Sequence, residues 1–263
     1  MDTRTSRDIS PILEGWDHIP GQVVARKIIG LDGGEKLQLR VELGVFQMEL
    51  AGRPDGKNPH DVESLLDYQR DRLREHSNLH GSDMDFHLTI QDCEDLHSEG
   101  IQYYYRYLAL FHLGEYNPVI RDTARNLEML DFVKEYGSKD WDRMTLEQYR
   151  PYILMMNTRA RASRSIGGGE HDEALKAVVE GIDNIRGFFG TINQRDVFEK
   201  CNEVVYLRNL AEEIVKQMKK DPIHQLREQM EQAVQHEEYE RAAELRDRIR
   251  RLEEEVQREP SPN

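Results

Sequence analysis

Tyr107-Leu-Ala-Leu-Phe-His-Leu-Gly-Glu-Tyr-Asn-Pro-Val-Ile120 divides at its glycine. An apolar and aromatic helical run ends at Gly114, and a small polar cap then starts a second helix. Gly169-Glu-His-Asp-Glu-Ala-Leu175 lines up with Gly114-Glu-Tyr-Asn-Pro-Val-Ile120, 55 residues on. A glycine after the last periodic residue is a helix stop signal, so the region from about residue 90 to 190 reads as helical pairs.

The shape of 107–120 resembles the inner turn of a tetratricopeptide-type repeat. The interval exceeds the roughly 34 residues of that repeat, and residues 137–148 read as an insertion. Beyond them, an amphipathic pattern over about 194–219 predicts one long helix, closed by Asp221-Pro222.

The N-terminal side reads as strands. Val23–Ile29 is rich in β-branched residues and ends at Gly30-Leu-Asp-Gly-Gly34, a hairpin signal. Leu37, Leu39, Val41 and Leu43 alternate with Lys36, Gln38, Arg40 and Glu42, the period of a half-buried strand. At Gly44 the parity flips to Phe46, Met48 and Leu50, which predicts a bend and a third strand. Arg53-Pro-Asp-Gly56 reads as a turn. Asn58-Pro59 reads as the cap and first turn of a helix carrying Val62, Leu65, Leu66 and Leu73 inward. Phe86, Leu88 and Ile90 alternate briefly as a fourth strand, and Thr89 with Asp92 forms a capping pair for the next helix.

Past Pro222, Ile223, Leu226, Met230 and Ala233 lie on one helix face. After His236-Glu-Glu238, a second helix carries Tyr239, Ala242, Leu245, Ile249, Leu252 and Val256, spaced as a coiled-coil seam from Ala242 onward. The short break folds the two back as an antiparallel hairpin. Such short helices are marginal alone, so the hairpin calls for a partner surface. Acid-before-base pairs four apart (Glu237–Arg241, Glu244–Arg248, Asp247–Arg251, Glu254–Arg258) border the seam, each worth about 0.2–0.5 kcal/mol. Asp247 lies off the seam. Arg246 reads in two ways, as a solvated charge with its stem on the stripe or as a donor across a docking interface.

The last 35 or so residues, with Tyr239-Glu-Arg-Ala-Ala-Glu-Leu-Arg-Asp247 at their centre, resemble the UVR motif. That helical hairpin is shared by the B and C subunits of the bacterial nucleotide-excision repair nuclease. The resemblance implies a non-catalytic docking device. Its partner would be a second copy, another UVR-motif protein or, as with similar hairpins, a Clp-type ATPase. The partner-binding residues are then Leu226, Met230, Tyr239, Ala242, Leu245, Arg246, Ile249 and Leu252. The rest of the chain carries no helicase or nuclease signature. With Cys93 and Cys201 as its cysteines, it also lacks the zinc fingers of the Clp-associated relatives. The layout resembles bacterial proteins with a single C-terminal UVR motif.

The chain has 263 residues, enough for a sizeable core. A net charge of −14 works against binding duplex DNA, which needs a basic face. No run approaches the ~18 apolar residues of a membrane span, and Met1–Asp8 has no apolar leader core. Two distant cysteines make no disulfide framework, so the expected compartment is the cytoplasm.

Other candidate chemistry is sparse. His76, His80, His87, Cys93 and His97 fit no zinc module, although His76 and His80 have the four-residue spacing that lets imidazoles meet on a helix; that helix is expected to end near Ser77. Ser165-Ile-Gly-Gly-Gly-Glu170 lacks the Gly-Lys-Ser/Thr of a phosphate loop. Tyr103, Tyr104, Tyr105 and Tyr107 point in several directions on a helix. Arg150, Arg159, Arg161 and Arg164 are the best basic cluster. No metal, cofactor or catalytic set is expected. The expected fold is α+β, mostly α: a β-rich region with one helix (1–89), a tetratricopeptide-like scaffold of helical hairpins (90–220) and a C-terminal helical hairpin (221–263). The expected function is that of an adaptor or regulator. The rival readings are a repair accessory factor and an enzyme with a site near Arg53-Pro-Asp-Gly56.

Overall fold

A computed structural model describes residues 9–137, 140–220 and 222–258, side chains excepted at 140–143, 224, 228 and 253–258. Met1–Asp8, Asp221, residues 138–139 of the insertion, and the side chains of Glu254, Val256 and Arg258 lie outside it. In chain order the elements are α1 (Ser10–Leu13), β1 (Val24–Ile29), β2 (Glu35–Val41), β3 (Gly44–Glu49), α2 (Leu65–His80), α3 (Ile90–His112), α4 (Tyr116–Tyr136) and α5 (Asp140–Glu147). They continue as α6 (Arg150–Gly167), α7 (His171–Thr191), α8 (Arg195–Phe198), α9 (Asn202–Met218), α10 (Pro222–Gln235) and α11 (Tyr239–Arg258). The class is α+β, mostly α, with a small N-terminal sheet and C-terminal helices.

The sheet is an antiparallel meander in the order β1-β2-β3, with Leu37 opposite Lys27 and Met48. Leu37, Leu39 and Met48 are buried against the helices. The parity flip at Gly44 is a two-residue hairpin turn, with Val41 opposite Gly44. Leu43 therefore leaves the strand alternation and is exposed in that turn. The polar residues of β2 are not solvated as the alternation implies. Lys36 Nζ lies 2.6 Å from both Asp32 and Glu49, and Gln38 bonds Arg26 and Gln47.

Three expectations nearby need correcting. Phe86–Ile90 is no fourth strand: β3 runs into the 49–56 turn, where Glu49 N–H donates to the Pro54 carbonyl. Leu88 makes only an isolated bridge to Gly137, and the capping box of Thr89 and Asp92 takes Ile90 into α3. Second, Asn58-Pro59 opens a single 3-10 turn rather than α2, because His60 and Asp61 have φ of 55° and 61°. Ser64 is the true cap, accepting from the Asp67 N–H, so Val62 lies before the helix. Third, α2 runs past Ser77 to His80, where Gly81 ends it with φ 71°.

The expected helix over 194–219 is also broken. Cys201 is extended, with φ −65° and ψ 124°, and this break lets both Phe198 and Cys201 enter the first core.

One corner recurs four times. At Gly114, Gly169, Asn193 and Glu237 the backbone takes a positive φ of 76°, 75°, 55° and 62°. Each of these residues donates its N–H three residues back, and the next residue donates five back. This is the Schellman closure, which satisfies a helix's orphan carbonyls. Gly114 and Gly169 thus form equivalent turns between α3 and α4 and between α6 and α7, as their alignment implies. The helices that follow are capped by Glu115 and Glu170 without a side-chain bond, so the small polar cap expected there is not used.

Glu237 bears a side chain where glycine fits best, and left-handed backbone costs an L-residue about 1–2 kcal/mol. Glu237→Gly is expected to stabilise the α10–α11 hairpin by about 1 kcal/mol, read as slower amide hydrogen exchange in α11. Unchanged or faster exchange would show that the corner carries no strain.

Two cores hold the scaffold. One joins the sheet to α3, α6, α7 and α9; the other gathers Leu66, Phe86, Leu88, Leu96, Leu130 and Leu146 among α2 to α5. Charged groups fasten the 49–53 segment across them. Arg106 Nε and Nη2 donate to Asp122 at 2.7 and 2.8 Å, and Nη1 donates to the carbonyls of Glu49 and Gly52. Glu99, also fully buried, accepts from the Leu65 N–H at 2.8 Å and from Arg125, with Arg53 Nε 3.3 Å away.

Candidate docking surfaces

In the C-terminal hairpin the seam divides in two. Leu226 and Ala233, seven apart on α10, are buried, as are Ala242 and Ile249, seven apart on α11. These four close the hairpin on itself, and none belongs to either scaffold core. Ile223 and Met230 on α10, and Leu245 and Leu252 on α11, repeat at the same interval but are only half-buried. Heptad spacing keeps each set on its own line along the helix, so one line is buried internally and the other forms a half-buried apolar stripe.

The residues expected to bind a partner therefore fall into three places. Leu226, Ala242 and Ile249 lie inside the hairpin; Met230, Leu245 and Leu252 lie on the half-open stripe; Tyr239 and Arg246 are exposed. Arg246 Nη2 lies 3.3 Å from Asp247, and Tyr239 is 67% exposed at the hairpin tip. Ile223 belongs to the stripe as well; its seven-residue distance from Met230 was the signal for it. Among the described side chains the ion pairs of α11 are Arg241–Glu238 and Arg250–Asp247, three apart, and Arg246–Asp247, with none of Glu237–Arg241, Glu244–Arg248 and Asp247–Arg251 among them; Glu254–Arg258 lies outside the described side chains. Exposed pairs are worth so little that local rotamers choose between the spacings.

A second surface lies between α3 and α6, over α4. It is an open cavity of about 420 Å³. Two ring pairs flank it, His97 with Tyr149 (ring centroids 5.6 Å apart) and Tyr104 with Tyr152 (6.1 Å); farther along the same helices, outside its lining, Phe111 meets Arg159 (4.5 Å from guanidinium carbon to ring centroid). Burial pushes the pKa of His97 down and that of Tyr104 up, and it pushes Tyr152 up to about 12. At neutral pH these groups are uncharged. Of the tyrosine run, Tyr103 and Tyr107 are buried, and Tyr104, Tyr105 and Tyr107 line this surface.

The arginine cluster does not act together. Arg150 pairs with Glu147 and Asp131, Arg161 with Glu180, and Arg164 donates to Asn117. Arg159 alone of the four has no oxygen partner among the described residues: it is held between Phe111 and Tyr206, its nearest acceptor being Met156 Sδ at 3.4 Å.

The histidines separate too. His76 and His80 stand 4.4 Å apart by ring centroid on α2 and share a shallow hollow with His87 and Arg72, whereas Cys93 sits in the second core and His97 faces α6. Among the described residues no three His, Cys, Asp or Glu converge to hold a metal. Ser165–Glu170 is the corner closing α6, and Arg53 lies against Glu99.

Residues 220–255 match the UvrB/uvrC motif, a motif associated with protein interaction and DNA repair. The match spans α10 and most of α11 and no scaffold core element. No curated protein and no solved structure matches the chain. No helix among the described residues is long and apolar enough to cross a membrane.

Proposed function

We propose that the chain is a non-catalytic adaptor of the cytoplasm that docks onto another protein through the half-buried stripe of its C-terminal hairpin. The carrying observation is the division of the heptads. Leu226, Ala233, Ala242 and Ile249 close the hairpin, while Met230, Leu245 and Leu252 are left only half-buried beside them. A second hairpin with the same stripe would complete a four-helix arrangement of the knobs-into-holes kind. The partner is accordingly a second copy, another UVR hairpin or a Clp-type ATPase, and the −14 charge disfavours duplex DNA. The match to the UvrB/uvrC motif favours, as a second reading, an accessory role in nucleotide-excision repair.

The test compares the full chain with Leu245→Asp and Asp247→Asn, by sedimentation for self-association and by capture of purified UVR hairpins, including those of the repair nuclease. A carboxylate closed into an apolar stripe costs several kcal/mol, and each 1.4 kcal/mol is about tenfold in affinity. Leu245→Asp is expected to weaken docking at least tenfold, with Asp247→Asn unchanged. Equal docking by Leu245→Asp, or no docking by the parent, would overturn the reading. Capture by the repair subunits alone would select the second reading.

A further inference from the structure

The two edges of the sheet are built differently. At β1, Arg26 donates to the Ile12 carbonyl and lies over the Trp16 ring, and Lys27 pairs with Glu115 at 2.6 Å. Charged side chains and covering segments keep an edge strand from pairing with another chain. β3 carries no charged residue from Gly44 to Met48. Its edge opens on a groove of about 320 Å³ walled by Phe46, Met48, Pro54, Ile101 and Tyr105. Which backbone groups face that way follows from the ladder, because residues of an antiparallel strand bond alternately to one side and the other. The Gly30 N–H donates to the Gly34 carbonyl, so the even-numbered residues of β2 face β1 and the odd-numbered ones face β3. Their partners on β3 are Gly44, Phe46 and Met48. Val45, Gln47 and Glu49 therefore point outward, as the Glu49 N–H does in reaching the Pro54 carbonyl. That turn closes the edge at one end and the 42–43 hairpin turn closes it at the other. The free stretch is 44–48, with Phe46 at its centre. Phe46 touches Tyr105 at 4.7 Å between ring centroids yet is 39% exposed.

We propose that β3 pairs with β3 of a second copy, antiparallel about a two-fold axis at Phe46, joining the two sheets into one. Val45 of each copy exchanges both backbone bonds with Gln47 of the other, and the two Phe46 residues form the close pair between these bonds. Each Phe46 ring enters the groove of the opposite copy. The ends of the free stretch fix this register. An axis at Val45 would set Gln47 against the hairpin turn, and an axis at Gln47 would set Val45 against Glu49, whose N–H is taken. Charge selects the occupant. A chain of net charge −14 repels its own copy, so a self-contact belongs on an uncharged stretch, whereas a charged partner strand finds no counter-charge on 44–48. Asp55, on the groove wall, is neutralised by Arg53 Nε 3.4 Å away. The surface is separate from the α10–α11 stripe and is isologous, as two-fold contacts are.

The test is sedimentation over a concentration series of the full chain carrying Leu245→Asp, which disables the hairpin stripe. This chain is expected to dimerise. Adding Gln47→Pro removes one outward N–H from each copy while sparing the ladder to β2, since proline is accepted where an edge N–H faces out. Losing two bonds of the dimer should weaken it by about tenfold or more. Gln47→Ala keeps the N–H and should dimerise like its parent. Phe46→Cys should cross-link copy to copy on oxidation, because residues facing each other in a non-hydrogen-bonded pair lie within disulfide reach. Leu43→Cys, 90% exposed in the turn, should not, and Cys93 and Cys201 are buried. Capture of purified UVR hairpins by Gln47→Pro alone should match the parent, so this reading and that of the stripe fail separately. A Leu245→Asp chain that stays monomeric would overturn the proposal and leave the edge to a strand of a different protein. Equal dimerisation with Gln47→Pro would overturn it as well. Should Gln47→Pro fail to fold, cross-linking of Phe46→Cys against none in Leu43→Cys still decides it.

Discussion

Asp122→Ala is expected to remove about 3–5 kcal/mol of stability, the largest loss from any single substitution considered for this chain. Asp122 and Arg106 are 0% and 1% exposed, and they meet through two hydrogen bonds of 2.7 and 2.8 Å. Removing one partner leaves the other as an uncompensated buried charge, whereas replacing both by apolar residues is often neutral. Arg106 would keep its bonds to the Glu49 and Gly52 carbonyls, but these bring no charge. Denaturation in urea reads the effect: the midpoint of Asp122→Ala should fall far below the parent's, and Arg106→Met with Asp122→Leu should recover most of it. A single-variant loss under 1 kcal/mol would mean that water reaches the pair and solvates it.

Gly181→Val is expected to cost about 3 kcal/mol. Here α7 presses on α6 so closely that a Cβ at Gly181 would overlap the Thr158 side chain, with Thr158 Cβ itself 2.8 Å from that position. Thr158 is buried and cannot swing away. Overfilling a packed site forces side chains off rotamer or shifts backbone, at about 1–3 kcal/mol and occasionally more. The thermal midpoint should fall accordingly. Gly181→Ala should cost less, and adding Thr158→Ala should recover only part of that, because the Cβ overlap remains. Full recovery would show that the helices separate more easily than their packing suggests.

What could be read from the residues was whatever is local. The glycine corners at Gly114 and Gly169, the phase change at Gly44 and the two stripes of the last hairpin are each written within a few positions, and each took shape as that pattern implies. Phe86 and Leu88 misled because two alternating apolar residues look alike in a strand and in a buried connector; the capping box at Thr89 settled the matter. The break before α9 was invisible for the opposite reason. Nothing between Arg195 and Cys201 stops a helix, and only the shared core explains why Phe198 and Cys201 both turn inward. The docking surfaces were half legible. Spacing named the seam, but which of its two lines closes the hairpin depends on how α10 sits on α11. Four arginines looked alike in sequence, and only their partners on other elements set Arg159 apart.

The corners have a consequence for engineering. Each is closed by backbone hydrogen bonds to the helix just ended, so a helical pair carries the backbone of its own turn with it. The interruptions of the array, α5 between α4 and α6 and α8 before α9, fall outside the α3–α4, α6–α7 and α10–α11 turns. Neither is a free linker, since Leu146 of α5 and Phe198 of α8 are buried in the cores and the Asn193 corner stands directly before α8. One extra residue inside a corner would unhook both of its bonds, so the places to be kept whole are marked by residues with positive φ.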